Sequence, residues 1–174
     1  PSGKPNPAKI SEYLVLYKHI TVYDPRLVCF DVQGKYDNKK VVLTGMVSFQ
    51  EEKEGLLQAM EALKIQPVED QIEVLPSAAL GDTRYAIAKV PHVPFFSHPS
   101  GQQERVTEAI LGDSIFLLKE DNEHGYYFAQ NAIGYLGWIK KDNALRVNMN
   151  DLREWRSKKR ALFRKSYENE STNV

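Results

Sequence analysis

The sequence is poor in the features that would commit it to a membrane, a disulfide framework or a strong electric field. It has one cysteine, Cys29, which excludes an intramolecular disulfide and a thiolate-rich zinc site. Its 23 basic residues balance its 23 acidic residues, so no overall field steers nucleic acid or an anionic surface toward it. No apolar run approaches the roughly 20 residues that a membrane-spanning helix requires. A charged partner must therefore be recognised by a local patch.

The first residues also lack the positively charged start and apolar stretch of a signal peptide. The sequence begins with Pro1-Ser2-Gly3 and not with methionine. We therefore expect that processing has removed a leading segment.

Residues 1–76 predict an α+β domain with the order helix, strand, strand, helix, strand. Ile10, Tyr13, Leu14 and Tyr17 recur at helical spacing, so the first helix is expected to begin near Pro7.

A hairpin is predicted after this helix. Residues 27–32 and 41–47 are rich in strand formers, and the polar residues 34–40 between them are typical of a turn.

The second helix is predicted from about Phe49. Ser48 and Glu51 have the spacing of a capping box, and Pro67 is expected to end the helical region. Residues 71–75, with alternating Ile72 and Val74, then predict a third strand.

Residues 77–83 are small or turn-forming and predict a linker, after which the pattern becomes almost wholly β up to residue 147. The proline-rich segment around Phe95 and Phe96 is expected to be a loop. The candidate strands span residues 85–90, 106–109, 114–119, 126–130, 135–140 and 145–147. Short strands at this spacing predict a small all-β barrel over residues 84–147.

Residues 148–174 predict a basic C-terminal helix followed by a polar tail. Leu152 and Trp155 begin an apolar stripe, and a dense set of Arg and Lys residues covers the rest of the helix. This helix either packs Trp155 against the barrel or contacts an anionic polymer, lipid headgroups or nucleic acid.

Gly134-Tyr135-Leu136-Gly137-Trp138-Ile139 is the most specific motif in the second region. With Ala109-Ile110-Leu111-Gly112-Asp113 and an aromatic strand after Gly125, it resembles the bacterial SH3-like (SH3b) domain, although Tyr126 stands where that family often has tryptophan. The two glycines permit a tight turn and a close strand approach, while Tyr135 and Trp138 supply large amphipathic surfaces.

The SH3-like resemblance implies a cell-wall context, because such domains commonly accompany cysteine peptidases of the NlpC type. Those enzymes cut the peptide stems of peptidoglycan. The peptidase part is missing from this sequence, since Cys29 is followed by Phe30-Asp31 and not by the family's Ser-Gly at a helix start.

The first region more weakly resembles the BON domain. The resemblance lies in Asp24-Pro25, in Val41-Val42-Leu43-Thr44-Gly45-Met46-Val47 and in the charged helix after Ser48. BON domains occur in envelope proteins and contact membranes or partner proteins. The two resemblances together imply a location outside the cytoplasm, in the periplasm or cell envelope.

No catalytic, metal or cofactor site is predicted. Cys29 lies within a β-type run and not at a helix N-terminus, which favours a structural role. The four histidines, His19, His92, His98 and His124, do not form a pair spaced as metal ligands on a helix. Carboxylates such as Asp113 with Glu108, or those at positions 120–123, are better explained as solvated turns than as a glycosidase pair.

A ligand-binding groove is predicted from four aromatic residues: Phe96, Tyr127, Tyr135 and Trp138. Aromatic side chains on adjacent loops make shallow grooves that suit extended peptides or sugars, but a small barrel also needs aromatic residues in its core. We therefore expect a non-enzymatic module that binds peptidoglycan or a cell-wall peptide, with a peptidase domain as an associated part and without a nucleic-acid partner. The alternative is a protein-interaction scaffold that binds a partner peptide or a membrane surface.

Overall fold

The computed structural model describes residues 6–100 and 104–158, and within these ranges it contains two β-sheets and three α-helices. The helices are α1 (Ile10–Thr21), α2 (Gln50–Ala62) and α3 (Met149–Ser157). The strands are β1 (Phe30–Asp37), β2 (Lys40–Val47), β3 (Val68–Val74), β4 (Tyr85–Ala88), β5 (His92–Phe96), β6 (Arg105–Ile110), β7 (Ser114–Asp121), β8 (Tyr126–Gln130), β9 (Leu136–Lys140) and β10 (Ala144–Val147). None of the described helices is long and apolar enough to cross a membrane. The predicted α+β organisation is confirmed.

The first sheet has the order β1-β2-β3, with β1 antiparallel and β3 parallel to β2. Helix α2 connects the two parallel strands, and α1 packs on β1. The predicted order of helix, strand, strand, helix, strand is confirmed. The buried side chains of its core come from both helices, all three strands and the segment after α2: Ile10, Leu14, Phe30, Val41, Leu43, Val47, Leu56, Met60, Ile65 and Ile72.

The hairpin turn lies further along the chain than predicted. Strand β1 continues through Gly34 to Asp37, and the turn consists of Asn38 and Lys39, with φ angles of 46° and 64°. Two positive φ angles in a two-residue turn are typical of type I′ hairpins. A Cβ on Gly34 would lie 2.6 Å from Ile10 Cγ1, so this glycine permits the close approach of α1 and does not form a turn.

The predicted capping box of the second helix is wrong by one residue. The Glu52 carboxylate accepts a hydrogen bond from the Phe49 N–H at 3.0 Å, so the helix is capped from Glu52 and not from Glu51. Ser48 is used elsewhere, because its hydroxyl oxygen accepts from the Cys29 N–H at 2.7 Å. This hydrogen bond therefore connects the residue before β1 to the residue after β2.

The second sheet has seven strands in the order β10-β4-β7-β8-β9-β5-β6. The end strands β10 and β6 do not pair within the described residues, so hydrogen bonds do not close this sheet and the predicted SH3-like barrel is not confirmed. Its core holds mainly aliphatic side chains with two aromatic ones: Leu80, Ala86, Ala88, Val93, Phe95, Ala109, Ile115, Leu117, Tyr127, Ala129, Ile139 and Ala144.

The loop predicted around Phe95 and Phe96 is wrong, because this segment forms β5. Val93 and Phe95 are fully buried and alternate with partly exposed Pro94 and Phe96, which is the strand period of two. β5 pairs with β6, and Phe96 lies opposite Trp138 of β9. The proline inside the segment concealed this strand in the sequence.

Helix α3 packs against the second sheet, which confirms the predicted packing of Trp155. The side chains of Leu152 and Trp155 contact Ile87 and Val147, and the Trp155 indole N–H donates to the Gly112 carbonyl oxygen at 3.2 Å. The predicted basic residues from Lys159 onward lie outside the described residues.

Candidate functional site

A cleft of about 660 Å³ lies between the two sheets. Arg26, Cys29 and Asp31 line one side, and Phe96, Tyr135 and Trp138 line the other. We call this space the inter-sheet cleft. Across it, the aromatic side chains of β5, of β9 and of the turn before β9 lie opposite the segment that leads into β1.

The glycine motif forms the tight turn and the close strand approach that the sequence predicted. Gly134 has a φ of 92° in the turn before β9, a conformation that favours glycine. A Cβ on Gly137 would lie 2.9 Å from Phe95 Cβ and 3.2 Å from the Phe96 carbonyl oxygen, so β9 approaches β5 through this glycine. The turn and the close approach together place Tyr135 and Trp138 at the mouth of the cleft.

Phe96, Tyr135 and Trp138 are brought together and remain partly exposed. Trp138 pairs with Phe96 across β9 and β5, and its ring lies 5.1 Å from the ring of buried Phe128. Tilted aromatic pairs at this distance are favourable and restrict ring rotation. The contact with Phe128 therefore fixes the Trp138 ring, and the part of the ring that lines the cleft stays partly exposed.

Tyr127, the fourth predicted ligand-binding residue, does not line the inter-sheet cleft. Its side chain is only 7% exposed and belongs to the core of the second sheet. Lys141 and Arg146 lie 5.3 and 5.9 Å from its ring centroid. This placement corresponds to the core role that the sequence left open for each aromatic residue.

Arg26 faces the aromatic wall from the other side of the cleft. Its guanidinium carbon lies 5.4 Å from the Tyr135 ring centroid, within the range of a cation–π contact. Its Nη2 also forms an ion pair with Asp24 at 2.8 Å. The side-chain hydrogen bond from Arg26 lowers the pKa of the Asp24 carboxyl to about 2, so this carboxyl stays ionised and keeps the guanidinium in place.

The two sides of the cleft are joined by an apolar cluster and by backbone hydrogen bonds. The Leu136 N–H donates to the Arg26 carbonyl oxygen at 2.8 Å, and the Ser77 N–H donates to the Leu118 carbonyl oxygen at 2.7 Å. The buried cluster between the sheets consists of Cys29, Met46, Leu75, Leu118, Phe128 and Leu136. The cleft is thus bounded by a packed interface.

Cys29 is part of this interface and is not an activated nucleophile. It is 7% exposed, and its thiol lies 3.9 Å from the Met46 carbonyl oxygen. Burial raises the pKa of the Cys29 thiol to about 12, and the nearby Asp31 carboxylate adds to the effect. A thiol with this pKa is protonated at neutral pH, which makes it a poor nucleophile.

Three of the carboxylates considered for catalysis, Asp113, Glu120 and Asp121, have structural partners. Asp113 accepts from the Ile110 N–H at 2.9 Å, and Asp121 accepts from the Glu123 N–H at 2.9 Å. Glu120 forms ion pairs with Lys141 at 2.6 Å and Arg146 at 3.0 Å, and the Lys141 hydrogen bond lowers its pKa. The described residues contain no cluster of three or more His, Cys, Asp or Glu side chains that could hold a metal ion.

Sequence reasoning missed Arg26 and the first-sheet side of the cleft. Residues distant in sequence meet there only because the sheets pack against each other, and no local pattern encodes that packing. Asp24-Pro25-Arg26 did give one signal, because an acidic residue two positions before an arginine can pair with it in a turn.

Comparison with known protein families gives no matching family model, and comparison with curated proteins gives no matching sequence. The functional assignment is therefore based on the geometry of the cleft.

Proposed function

We propose that this chain is a non-catalytic binding module of the cell envelope and that its inter-sheet cleft holds an extended cell-wall peptide. The observation that carries the proposal is the set of three partly exposed aromatic rings, Phe96, Tyr135 and Trp138, opposite the Arg26 guanidinium. Aromatic walls exclude water from a bound chain, and a cation opposite them can orient a carboxylate of the ligand.

The second sheet is proposed to be an SH3-like module that carries the aromatic wall, and the first sheet with its two helices a BON-like module. The positive φ of Gly134 and the close contacts at Gly137 support the first assignment, because the resembling motif uses its glycines for a turn and a close strand approach.

Peptidoglycan stem peptides are the proposed ligand class, and an NlpC-type peptidase is the proposed associated enzyme. In this account the chain holds the substrate peptide for that enzyme outside the cytoplasm. Stem peptides carry carboxylates as well as amines, and the cleft lining also carries both signs of charge, with Lys18 and Arg26 alongside Asp31 and Glu104.

A second candidate function is docking of a partner protein's peptide in the same cleft. The mixed charge of the lining favours it as well, because protein segments also present both signs. Contact of the first module with a membrane surface remains part of this second candidate.

The test is co-sedimentation of the purified chain with insoluble peptidoglycan. We expect saturable binding, with an affinity about fivefold lower for Tyr135→Ala, as the loss of one aromatic contact of about 1 kcal/mol implies. Tyr36→Ala is the matched control, because Tyr36 is 43% exposed on β1 and does not line the cleft.

Absence of sedimentation, or equal binding by the two tyrosine variants, would overturn the proposed function. Binding of a soluble protein segment in the cleft without any binding to peptidoglycan would support the second candidate instead.

A further inference from the structure

Strand β1 is an edge strand of the first sheet. It pairs with β2 along one side, and along its other side it pairs with no strand in the described part of the chain. An unpaired edge presents backbone N–H and C=O groups that can accept another strand.

The hairpin register identifies which groups face this free edge. Asp37 and Lys40 flank the two-residue turn and form a hydrogen-bonded pair, so the odd-numbered residues of β1, such as Gln33, direct their backbone groups to β2. Val32 and Gly34 must then direct theirs to the free edge. The Gly34 carbonyl oxygen agrees with this direction, because it accepts a long hydrogen bond of 3.5 Å from the Ser11 hydroxyl of α1, which an added strand would have to displace.

A groove of about 410 Å³ lies along this edge. Strand residues Phe30 to Gly34 form one side of it, and α1 forms the other side through Ser11, Leu14, Val15 and Lys18. Val15 is 71% exposed, so the helical wall offers an apolar contact that no other described residue covers. We call this the edge groove.

The edge groove also continues into the inter-sheet cleft. Lys18, Phe30 and Asp31 line both spaces. The charged side chains of Lys18 and Asp31 form no ion pair or hydrogen bond with other residues in the ranges 6–100 and 104–158. They are therefore available to a ligand that follows the edge.

We propose that the edge groove binds an extended segment of a partner protein, which adds to the first sheet as a fourth strand beside β1. Outward backbone groups at every second residue select a ligand with the same repeat, and an extended polypeptide of L-amino acids has it. From Phe30 to Gly34 the edge spans about 14 Å at about 3.4 Å per residue, which corresponds to a partner strand of about five residues. Charges of both signs at Lys18 and Asp31 match a segment that carries both signs.

A second copy of the chain is a poorer occupant than a single segment. The helix α1 stands beside β1 as the second wall of the groove, and a symmetric pairing of two β1 strands would bring a second α1 to the same edge. This binding mode does not use the aromatic wall of the proposed cell-wall function, although Lys18, Phe30 and Asp31 line both the edge groove and the inter-sheet cleft.

The probe is a displayed library of linear ten-residue L-peptides, selected on the full chain and counter-selected on the Val15→Glu variant. We expect the recovered peptides to bind Val15→Glu about tenfold more weakly than the unchanged chain. Ile20→Glu is the matched control, because Ile20 is 73% exposed on the same helix and does not line the groove, and it should leave affinity within about twofold. Tyr135→Ala should also leave it unchanged, which separates this proposal from the cleft.

Two measurements then test backbone pairing directly. N-methylation of alternate peptide residues should weaken binding about tenfold in one register and little in the other, as the loss of about one hydrogen bond per blocked group implies. Amide exchange at Val32 and Gly34 should slow when peptide binds, whereas that of Gln33 should be slow in both states.

The proposal is overturned if selection yields no peptide that depends on Val15. It is equally overturned if recovered peptides tolerate N-methylation in both registers or leave the exchange of Val32 and Gly34 unchanged.

Discussion

The Arg26 guanidinium lies 5.4 Å from the Tyr135 ring centroid, and the Arg26 carbonyl oxygen accepts from the N–H of the residue that follows that tyrosine. One residue of the first-sheet side thus contacts the aromatic wall through both its side chain and its backbone. This contact joins the two parts of the molecule at the site proposed to bind ligand. Replacement of Arg26 therefore tests whether the cleft binds the ligand.

Replacement of Arg26 should weaken ligand binding while the fold persists. Arg26→Met removes the cation over Tyr135 but keeps the backbone hydrogen bond, so we expect about threefold lower affinity for soluble peptidoglycan fragments, measured by calorimetry. Arg84→Met is the control, because Arg84 donates to the Gly81 carbonyl oxygen and does not line the cleft. Equal affinity of both variants would show that Arg26 takes no part in binding.

Gly137→Ala should destabilise the second sheet by steric overlap. The added methyl group would lie 2.9 Å from Phe95 Cβ and 3.1 Å from Val106 Cγ2, so we expect a loss of about 2 kcal/mol in the free energy of unfolding. Gly125→Ala separates overlap from backbone strain, since Gly125 has a φ of 76° but no atom within 4 Å of an added Cβ. It should cost about 1 kcal/mol. A smaller loss for Gly137→Ala than for Gly125→Ala in urea unfolding would contradict the close approach of β9 to β5.

Cys29 should resist alkylation in the folded protein. With a thiol pKa raised to about 12, the thiolate fraction at pH 8 is about a thousandfold below that of an ordinary cysteine. We expect iodoacetamide to label Cys29 only after the protein is denatured. Mass spectrometry measures the labelled fraction. Rapid native labelling would mean that the interface around Cys29 opens readily.

The stability that Glu120 contributes should decrease as the pH falls. In the folded state the hydrogen bond from Lys141 lowers the pKa of the Glu120 carboxyl the most. The positive charges of Lys141 and Arg146 and the hydrogen bond from Arg146 lower it further, whereas burial opposes the shift. Its contribution is therefore complete above the unfolded pKa of about 4.5 and is lost as the pH falls through the lowered folded value. Glu120→Gln should cost about 1 kcal/mol at pH 7, and the difference from the unchanged chain should shrink below about pH 4.5.

The measurement for Glu120→Gln is urea unfolding at a series of pH values. Glu154→Gln is a suitable control, because Glu154 forms an exposed ion pair with Lys158 and its loss should change stability little. A difference that grows as the pH falls would contradict the assigned sign.

The fold was largely predictable where local pattern determines it. Helical spacing in α1 and α2 and the glycine motif before β9 act over a few residues, and each appears where the sequence predicted it. The strand containing Pro94 was missed because its alternation of buried Val93 and Phe95 is interrupted by a residue that usually lies outside strands.

The site was predictable on one side only. Strand alternation places Tyr127 and Phe128 on opposite faces of β8, but it does not specify what each face contacts. In the structure both faces are covered, with Tyr127 in the core of the second sheet and Phe128 in the cluster against the first sheet. The packing of one sheet on the other depends on many distant residues at once, so the Arg26 side of the cleft could not be inferred from sequence spacing.

The central claim is that the Trp138 ring lies on the wall of a cleft that is open to a peptide ligand. The chain has two tryptophans, and Trp155 packs its indole against the second sheet with its N–H on Gly112, away from the cleft. NMR titration of the full chain with soluble peptidoglycan fragments therefore provides both signal and control. The account predicts a saturable shift of the Trp138 indole N–H resonance with that of Trp155 unchanged, and it is contradicted if the Trp138 resonance stays in place at saturating ligand.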